Sequence, residues 1–202
     1  MGFIVAFILI SALVMSGLRR IKLLNNAFAV QSLFIACLCL VKGFESGEYH
    51  YYILFALTLL IKVLGIPYIV RQASKNLLSD RETELIINGF WSYLVTGFSV
   101  AIVFIVLNDY GDFIFKTSFA LMTAGAILLI GRKKAITQMI GMLTIENGIV
   151  LFEIAMVKMT WIIELGITFE LFILALIMGM MILKINKAFH SINTDNLANL
   201  KE

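Results

Sequence analysis

The sequence predicts an all-α integral membrane protein with about seven transmembrane helices, its N-terminus outside and its C-terminus in the cytoplasm. The chain has 202 residues, of which 61% are hydrophobic and only 14% are charged. Globular proteins average roughly 45–50% apolar and about 25% charged residues. Unbroken apolar runs are long enough to cross the ~30 Å hydrocarbon layer, and basic residues cluster between alternate runs. These three observations predict the fold class.

The predicted spans follow one another with short connections, apart from the polar stretch between residues 71 and 88. They cover residues 2–18, 23–42, 50–70, 89–107, 113–131, 135–157 and 161–185. A transmembrane β-barrel would show short segments of alternating polarity instead, so helices are predicted. The chain divides into three parts: an N-terminal three-helix unit (1–72), a cytoplasmic loop with a fourth helix (73–112), and a three-helix unit with a cytoplasmic tail (113–202).

The positive-inside rule predicts the orientation. Of the 16 Lys and Arg residues, twelve fall in loops on one side, three on the other and one inside a span. The twelve are Arg19, Arg20, Lys22, Arg71, Lys75, Arg81, Arg132, Lys133, Lys134, Lys184, Lys187 and Lys201. Because positive loops stay in the cytoplasm, the N-terminus is predicted outside and the C-terminus inside. The first run has no preceding charge and no clear cleavage site, so we interpret it as an N-out anchor.

Composition and missing motifs exclude several functional classes. Cys37 and Cys39 are the only cysteines and lie two residues apart on one apolar run, which excludes a disulfide scaffold. A net charge of +3 without a basic patch argues against nucleic-acid binding. The chain lacks a Walker loop, a GxGxxG motif, an HExxH motif and cysteine clusters for iron–sulfur centres. We therefore expect the chain to be one subunit of a larger complex, or a simple channel or carrier.

Two glutamates in the last two predicted spans are the first candidates for function, because ionisable groups at mid-bilayer are costly. Glu146 lies thirteen residues before Met159, near which the chain turns, and Glu170 lies eleven residues after it. At 1.5 Å rise per residue, their depths should differ by only about 3 Å. Two carboxyl groups at one level on neighbouring helices can exchange protons through a short water chain.

Glu153 and Lys62 are the other intramembrane candidates. Glu153 follows Glu146 by seven residues, on nearly the same helical face and about 10 Å nearer the outside. Lys62 lies in the third span, where Pro67 cannot donate a hydrogen bond to the carbonyl of Val63. We expect a proline-broken helix that exposes polar backbone beside a buried amine. That amine is predicted to be a switchable proton site or a counter-charge to a glutamate.

Structural roles for these residues stay open at this stage. A buried Glu–Lys pair can simply fix the register of two helices, and Glu153 can extend toward the outer surface. The sixth span also has small residues on a face distinct from that of its glutamates, which indicates a helix-packing seam. These small residues are Thr137, Gly141, Thr144 and Gly148.

Three segments of the sequence resemble the hydrogenase-4 component E family. The segment Gln138–Gly148, with its Glu-Asn-Gly end, is similar to a helix of that family, and Lys62 followed by Pro67 resembles its lysine–proline third helix. The end of the chain, with Glu170 in its last span, is similar to the family's ending. The last three spans, about 113–185, further resemble the NuoK subunit of respiratory complex I and MrpC of cation/proton antiporters. Those relatives carry membrane glutamates at the places of Glu146 and Glu170.

The resemblance implies a multi-pass subunit of the cytoplasmic membrane, in the membrane arm of a group 4 [NiFe]-hydrogenase of the hydrogenase-4 or formate hydrogenlyase type. Its buried carboxylates would serve redox-coupled proton translocation, with Glu146, Glu170, Lys62 and Glu153 as proton-transfer groups. No cofactor is expected in this chain, since the nickel–iron site and iron–sulfur clusters would belong to partner subunits. The chain itself would be non-catalytic. Expected partners are antiporter-like membrane subunits and a cytoplasmic hydrogenase module.

Two other functions fit the same residues. In an Mrp-type antiporter, or another ion transporter independent of a dehydrogenase, the carboxylates would exchange Na⁺ for H⁺. In a purely structural scaffold, the buried charges would only hold helices together. Sodium-dependent turnover would favour the former, and a silent double substitution of Glu146 and Glu170 would favour the latter.

Overall fold

The computed structural model describes residues 1–74 and 88–156, and in those ranges the chain is mostly helical without a β-strand. A π-helical segment, Thr58–Gly65, joins the third helix to the fourth. The helices are α1 (Gly2–Gly17), α2 (Ile21–Ser46), α3 (Tyr49–Leu57), α4 (Ile66–Ser74), α5 (Gly89–Val106), α6 (Phe113–Gly131) and α7 (Ala135–Met156). The predicted seventh span with Glu170, the tail and most of the polar loop lie outside the described residues.

The predicted membrane character is confirmed by the length and composition of the helices. Five of them within the described ranges are long and apolar enough to cross a membrane: Ile21–Ser46, Tyr49–Gln72, Gly89–Val106, Phe113–Gly131 and Ile136–Ala155. The first helix is apolar but has 16 residues, which gives a length of about 24 Å. The total of seven spans and the N-out orientation stay predictions.

The third span differs from the broken helix that the sequence predicts. The chain stays helical through Pro67, because the eight residues Thr58–Gly65 before it widen into a π-helix. In this wider turn the amide of Ile66 donates to the carbonyl of Ile61, five residues back. The local change in winding accommodates the missing proline amide without interrupting the span. π-helical turns are uncommon and occur frequently at functional sites.

The predicted seam of small residues on α7 is confirmed by its close approach to α6. A Cβ added to Gly141 would lie 2.6 Å from the backbone nitrogen of Leu129, and one added to Gly125 would lie 2.7 Å from that of Ile145. Gly148 approaches the backbone of Met122 in the same way. Only glycine lets the two backbones come this close, as in other membrane helix pairs. The seam leaves another face of α7 available to α2 and the π segment.

Two apolar clusters fill the interior between these helices. The first, named here the Phe28 cluster, comprises Met15, Ile21, Leu24, Phe28, Ile66, Val70, Leu128, Ile136, Met139, Ile140 and Leu143. The second, the Ile35 cluster, comprises Val5, Ile8, Ala12, Ile35, Leu38, Cys39, Leu54, Leu121, Ala124, Val150, Leu151 and Ile154. Along α2, α7 and the third span, members of the two clusters occupy opposite sides of a short polar stretch.

Arg132 lies between α6 and α7 and points into the protein. Its guanidinium Nη2 donates to the carbonyl oxygens of Met15 at 3.3 Å and Ser16 at 3.1 Å. These carbonyls belong to the last turn of α1, where few backbone donors remain; the amide of Leu18 also donates to Met15 O at 3.3 Å. A cation at a helix C-terminus also interacts favourably with the helix dipole. Arg132 therefore ties the end of α1 to the α6–α7 hairpin.

Candidate functional site

The centre of the site is an ion pair between the π segment and α7. Lys62 Nζ lies 2.9 Å from Glu146 Oε1, and both residues are buried, with Lys62 1% and Glu146 3% exposed. A charge removed from water is tolerated only when it is paired or hydrogen-bonded. The structure thus brings together two of the ionisable residues singled out in the sequence, in the arrangement of a glutamate with a lysine counter-charge.

Asn147 supplies a second acceptor for the same ammonium group. Lys62 Nζ donates to Asn147 Oδ1 at 3.2 Å. The Asn147 amide in turn donates to Gln31 Oε1 at 3.3 Å and to Ser32 Oγ at 3.1 Å, both on α2. Asn147, Gln31 and Ser32 are fully buried. Three segments of the chain, α2, the π segment and α7, therefore meet in one hydrogen-bonded polar layer.

Glu146 keeps one oxygen available in this layer. Its Oε1 forms the ion pair with Lys62, and Oε2 is buried without one; neither oxygen has a hydrogen bond of good geometry to the residues that the structure describes. Buried polar atoms are nearly always satisfied by a protein group or by ordered water. Oε2 is therefore the atom of this site to which a water molecule, or a group beyond the described ranges, can attach.

The polar layer is separated from both ends of the helices by apolar side chains. On α2, Phe28 precedes Gln31 and Ser32, and Ile35 follows them. On α7, Leu143 belongs to the Phe28 cluster and Val150 to the Ile35 cluster, with Glu146 between them. The contacts of Lys62 and Asn147 thus extend across the bundle, and other buried polar side chains, Asn25 on α2 and Glu153 on α7, lie on either side of the layer.

Glu153 and Glu170 complete the set of predicted residues. Glu153 is buried on α7 at 6% exposure, so it does not extend fully to the surface. It follows Phe152, whose ring packs against Phe115 and Phe119 of α6 at 5.7 Å between centroids. The structure does not bring Glu153 into the Lys62–Glu146 pair. Glu170 falls in the part of the chain that is not described.

Sequence analysis did not single out Gln31, Ser32 or Asn147. Asn147 was noted only as part of the Glu-Asn-Gly segment, although an amide directly after a buried glutamate is itself a polar group in an apolar run. Gln31 and Ser32 form a polar pair in the middle of the second predicted span. A systematic search of each span for uncharged polar residues at mid-depth would have found all three.

Other features add no further site in the described ranges. Within them, no three His, Cys, Asp or Glu side chains lie together in a manner that could hold a metal ion. Cys37 and Cys39, both on α2, do not form a disulfide within the described residues. Comparison of the chain with family models, curated proteins and solved structures found no match.

The arrangement provides groups that can take up and release protons in a water-poor environment. A carboxylate and an ammonium 2.9 Å apart can exchange a proton directly. The Asn147 amide does not titrate, so it contributes geometry and not protons. The available oxygen of Glu146 offers a connection to a further proton donor or acceptor.

Proposed function

We propose that this chain is a non-catalytic proton-translocating subunit in the membrane arm of a group 4 [NiFe]-hydrogenase complex, of the hydrogenase-4 or formate hydrogenlyase type. The observation that carries the proposal is the buried Lys62–Glu146 ion pair, enclosed by apolar clusters and backed by Asn147. We infer the family from the resemblance of the Gln138–Gly148 segment and of the lysine–proline span to hydrogenase-4 component E. Partner subunits supply the nickel–iron site, the iron–sulfur clusters and the electrons.

In this proposal, protons move in the plane of the membrane through the polar layer. Glu146 passes protons to and from Glu170 by way of water at Glu146 Oε2, and Lys62 is a third titratable group beside them. Glu153 serves release toward the outside. Redox turnover elsewhere changes the charge or hydration at one carboxyl group and thereby the proton affinity of its neighbours. The apolar clusters on either side of the layer favour lateral transfer within it, and Glu153, buried farther along α7, is the group by which protons would leave it.

The first experiment is to identify the complex. A C-terminal tag on the chain allows purification from native membranes in mild detergent, followed by measurement of nickel and iron. We expect stoichiometric nickel with many iron atoms. An intact complex without either metal would contradict the hydrogenase assignment and favour the Mrp-type antiporter, for which sodium-dependent turnover is the next measurement.

A structural scaffold is the second candidate, and the ion pair itself favours it, because a buried Glu–Lys pair can also fix helix register. The double substitution Glu146→Gln with Glu170→Gln distinguishes the two roles. A scaffold keeps wild-type proton pumping in the assembled double variant, whereas a proton path loses it. Yield of the assembled complex is the control, because pumping is informative only where assembly is intact.

A further inference from the structure

We infer that Asn147 is a positioning residue that holds the Lys62 ammonium beside Glu146 while the charge of Glu146 changes, and that Gln31 sets the orientation of Asn147. The inference deepens the proposed function, because it concerns how the same site keeps its geometry during proton transfer. The hydrogen-bond geometry on which the inference rests, however, does not depend on which complex contains the chain.

The groups at the two ends of the hydrogen-bonded chain in the polar layer determine which atoms donate and which accept. At one end, the ammonium of Lys62 can only donate, and at the other end, the backbone carbonyl of Ile8 on α1 can only accept. Gln31 Nε2 faces that carbonyl at 3.5 Å, so Gln31 Oε1 is turned toward α7. It accepts from Asn147 Nδ2 at 3.3 Å, and Ser32 Oγ accepts from the same nitrogen at 3.1 Å.

Asn147 therefore has only one orientation that satisfies its neighbours. With Nδ2 engaged by two acceptors on α2, its Oδ1 points to Lys62 at 3.2 Å. A flipped amide would direct an N–H group at the ammonium and its oxygen at Gln31 Oε1, which is an acceptor, although the Ser32 hydroxyl could donate to it. Because these groups are buried, each mismatch would leave a polar group without a partner, at a cost of about 1–3 kcal/mol.

The two acceptors of Lys62 respond differently when a proton arrives. Glu146 loses its negative charge on protonation, and the attraction that holds the ammonium at Oε1 weakens. Asn147 has no titratable group, so its oxygen remains an equally good acceptor. The two residues are also consecutive on one helix, so they keep the same relation to Lys62. The lysine consequently remains in place through a cycle of protonation and deprotonation.

The test uses the purified full chain labelled with ¹⁵N-lysine and measures exchange of the Lys62 ammonium protons with water by NMR. The Lys62→Met variant assigns the signal, and Glu146→Gln mimics the protonated carboxyl. We expect slow exchange in the wild type and in Glu146→Gln. Exchange should become at least about tenfold faster in Asn147→Leu combined with Glu146→Gln, and should change less in Asn147→Leu alone, because the Glu146 carboxylate still holds the ammonium there. Gln31→Met combined with Glu146→Gln should give an intermediate rate because it frees the orientation of Asn147.

Asn25→Leu is the matched control, because Asn25 is another buried amide on α2, and it donates to the carbonyl of Pro67 at 3.0 Å instead. The Lys62 ammonium protons of the Asn25→Leu variant should exchange with water at the wild-type rate. Wild-type exchange in Asn147→Leu combined with Glu146→Gln would overturn the inference. If that variant does not fold, as judged by circular dichroism, wild-type exchange in Gln31→Met combined with Glu146→Gln would do so. Fast exchange in the first double variant, together with wild-type pumping in the assembled Glu146→Gln, Glu170→Gln complex, would instead leave the inference standing and contradict the proposed function.

Discussion

Lys62 and Glu146 form a buried ion pair, with 2.9 Å between Nζ and Oε1, that joins the π-helical segment of the third span to α7. The lysine stem is among the largest fully buried side chains of the described ranges. The π winding and the pair occur at the same place in the span. The pair therefore cross-links the π segment to α7 and places two ionisable groups in the interior of the described part of the chain.

Breaking this pair from one side should be more harmful than removing it altogether. Lys62→Met or Glu146→Leu leaves an uncompensated buried charge, for which a loss of about 3–5 kcal/mol in the free energy of unfolding is typical. The double variant leaves none and should lie much nearer to the wild type. Denaturant unfolding of the purified chain in detergent, followed by circular dichroism, measures the effect. Additive losses in the double variant would contradict the coupling of the two residues.

Glu146→Gln should abolish coupled proton pumping while leaving assembly largely intact. The substitution keeps the shape of the side chain and an oxygen that can accept from Lys62, but it removes the titratable group. Acidification of inverted membrane vesicles, read with a pH-sensitive dye, is the measurement. Glu45→Gln is the control, because Glu45 is an exposed carboxylate that pairs with Lys42 at 3.5 Å. Wild-type pumping by an assembled Glu146→Gln complex would argue against the proton-transfer role.

The α6–α7 seam should not tolerate a single added methyl group. In Gly125→Ala, the new Cβ would meet the backbone nitrogen of Ile145 at 2.7 Å, so the helices must separate, and a loss of about 1–3 kcal/mol is expected from overpacking. Gly97→Ala on α5 is the matched control, because a Cβ there would have no atom within 4 Å. Thermal unfolding of both purified variants makes the comparison. Equal thermal stability of Gly125→Ala and Gly97→Ala would show that α6 and α7 can separate at the seam without loss of stability.

Arg132→Gln should destabilise the chain more than loss of a basic residue at the surface. Arg132 is 2% exposed, and its removal takes a donor from the carbonyls of Met15 and Ser16 at the end of α1; a buried acceptor left unsatisfied typically costs about 1–3 kcal/mol. Arg20→Gln, which removes the same charge from an exposed position, is the control. Limited proteolysis near residue 18 would report fraying of α1. Indistinguishable cleavage of the two variants would count against the capping role.

Single cysteines should test the predicted orientation. In a chain carrying Cys37→Ala and Cys39→Ala, Glu45→Cys should react with a membrane-impermeant maleimide added to intact cells, because its loop is predicted outside. Arg20→Cys should react only after the membrane is permeabilised. Both positions are exposed in the structure. The reverse pattern would invert the topology and move the basic loops to the outside.

Much of the fold could be predicted because the bilayer imposes simple requirements on sequence. The spans predicted at 89–107, 113–131 and 135–157 agree with the observed helices within one residue at each end. Glu146 and Lys62 could be singled out because a charge is conspicuous in an apolar run. That these two residues contact each other could not be derived from the sequence. The contact depends on which helices are neighbours in the bundle, and the periodicity of apolar residues does not encode the arrangement of the helices.

The winding around Lys62 was harder to predict, for a related reason. A proline in a helix predicts the loss of one backbone hydrogen bond. It does not predict whether the helix kinks or changes its winding, and here the segment Thr58–Gly65 adopts the wider π-helical winding. Gln31 and Ser32 were missed because an uncharged polar residue is less conspicuous than a charge in an apolar segment. Their importance comes only from their contacts with Asn147.

The two apolar clusters on either side of the polar layer have a consequence for the electrical behaviour of the membrane. Under the proposed function, the Phe28 and Ile35 clusters would oppose proton movement along the membrane normal. We therefore expect that a chain inserted before its proposed partners does not dissipate the membrane potential. Cells that produce this subunit alone should grow at a normal rate and keep their respiratory coupling, so that assembly can proceed stepwise without a leak.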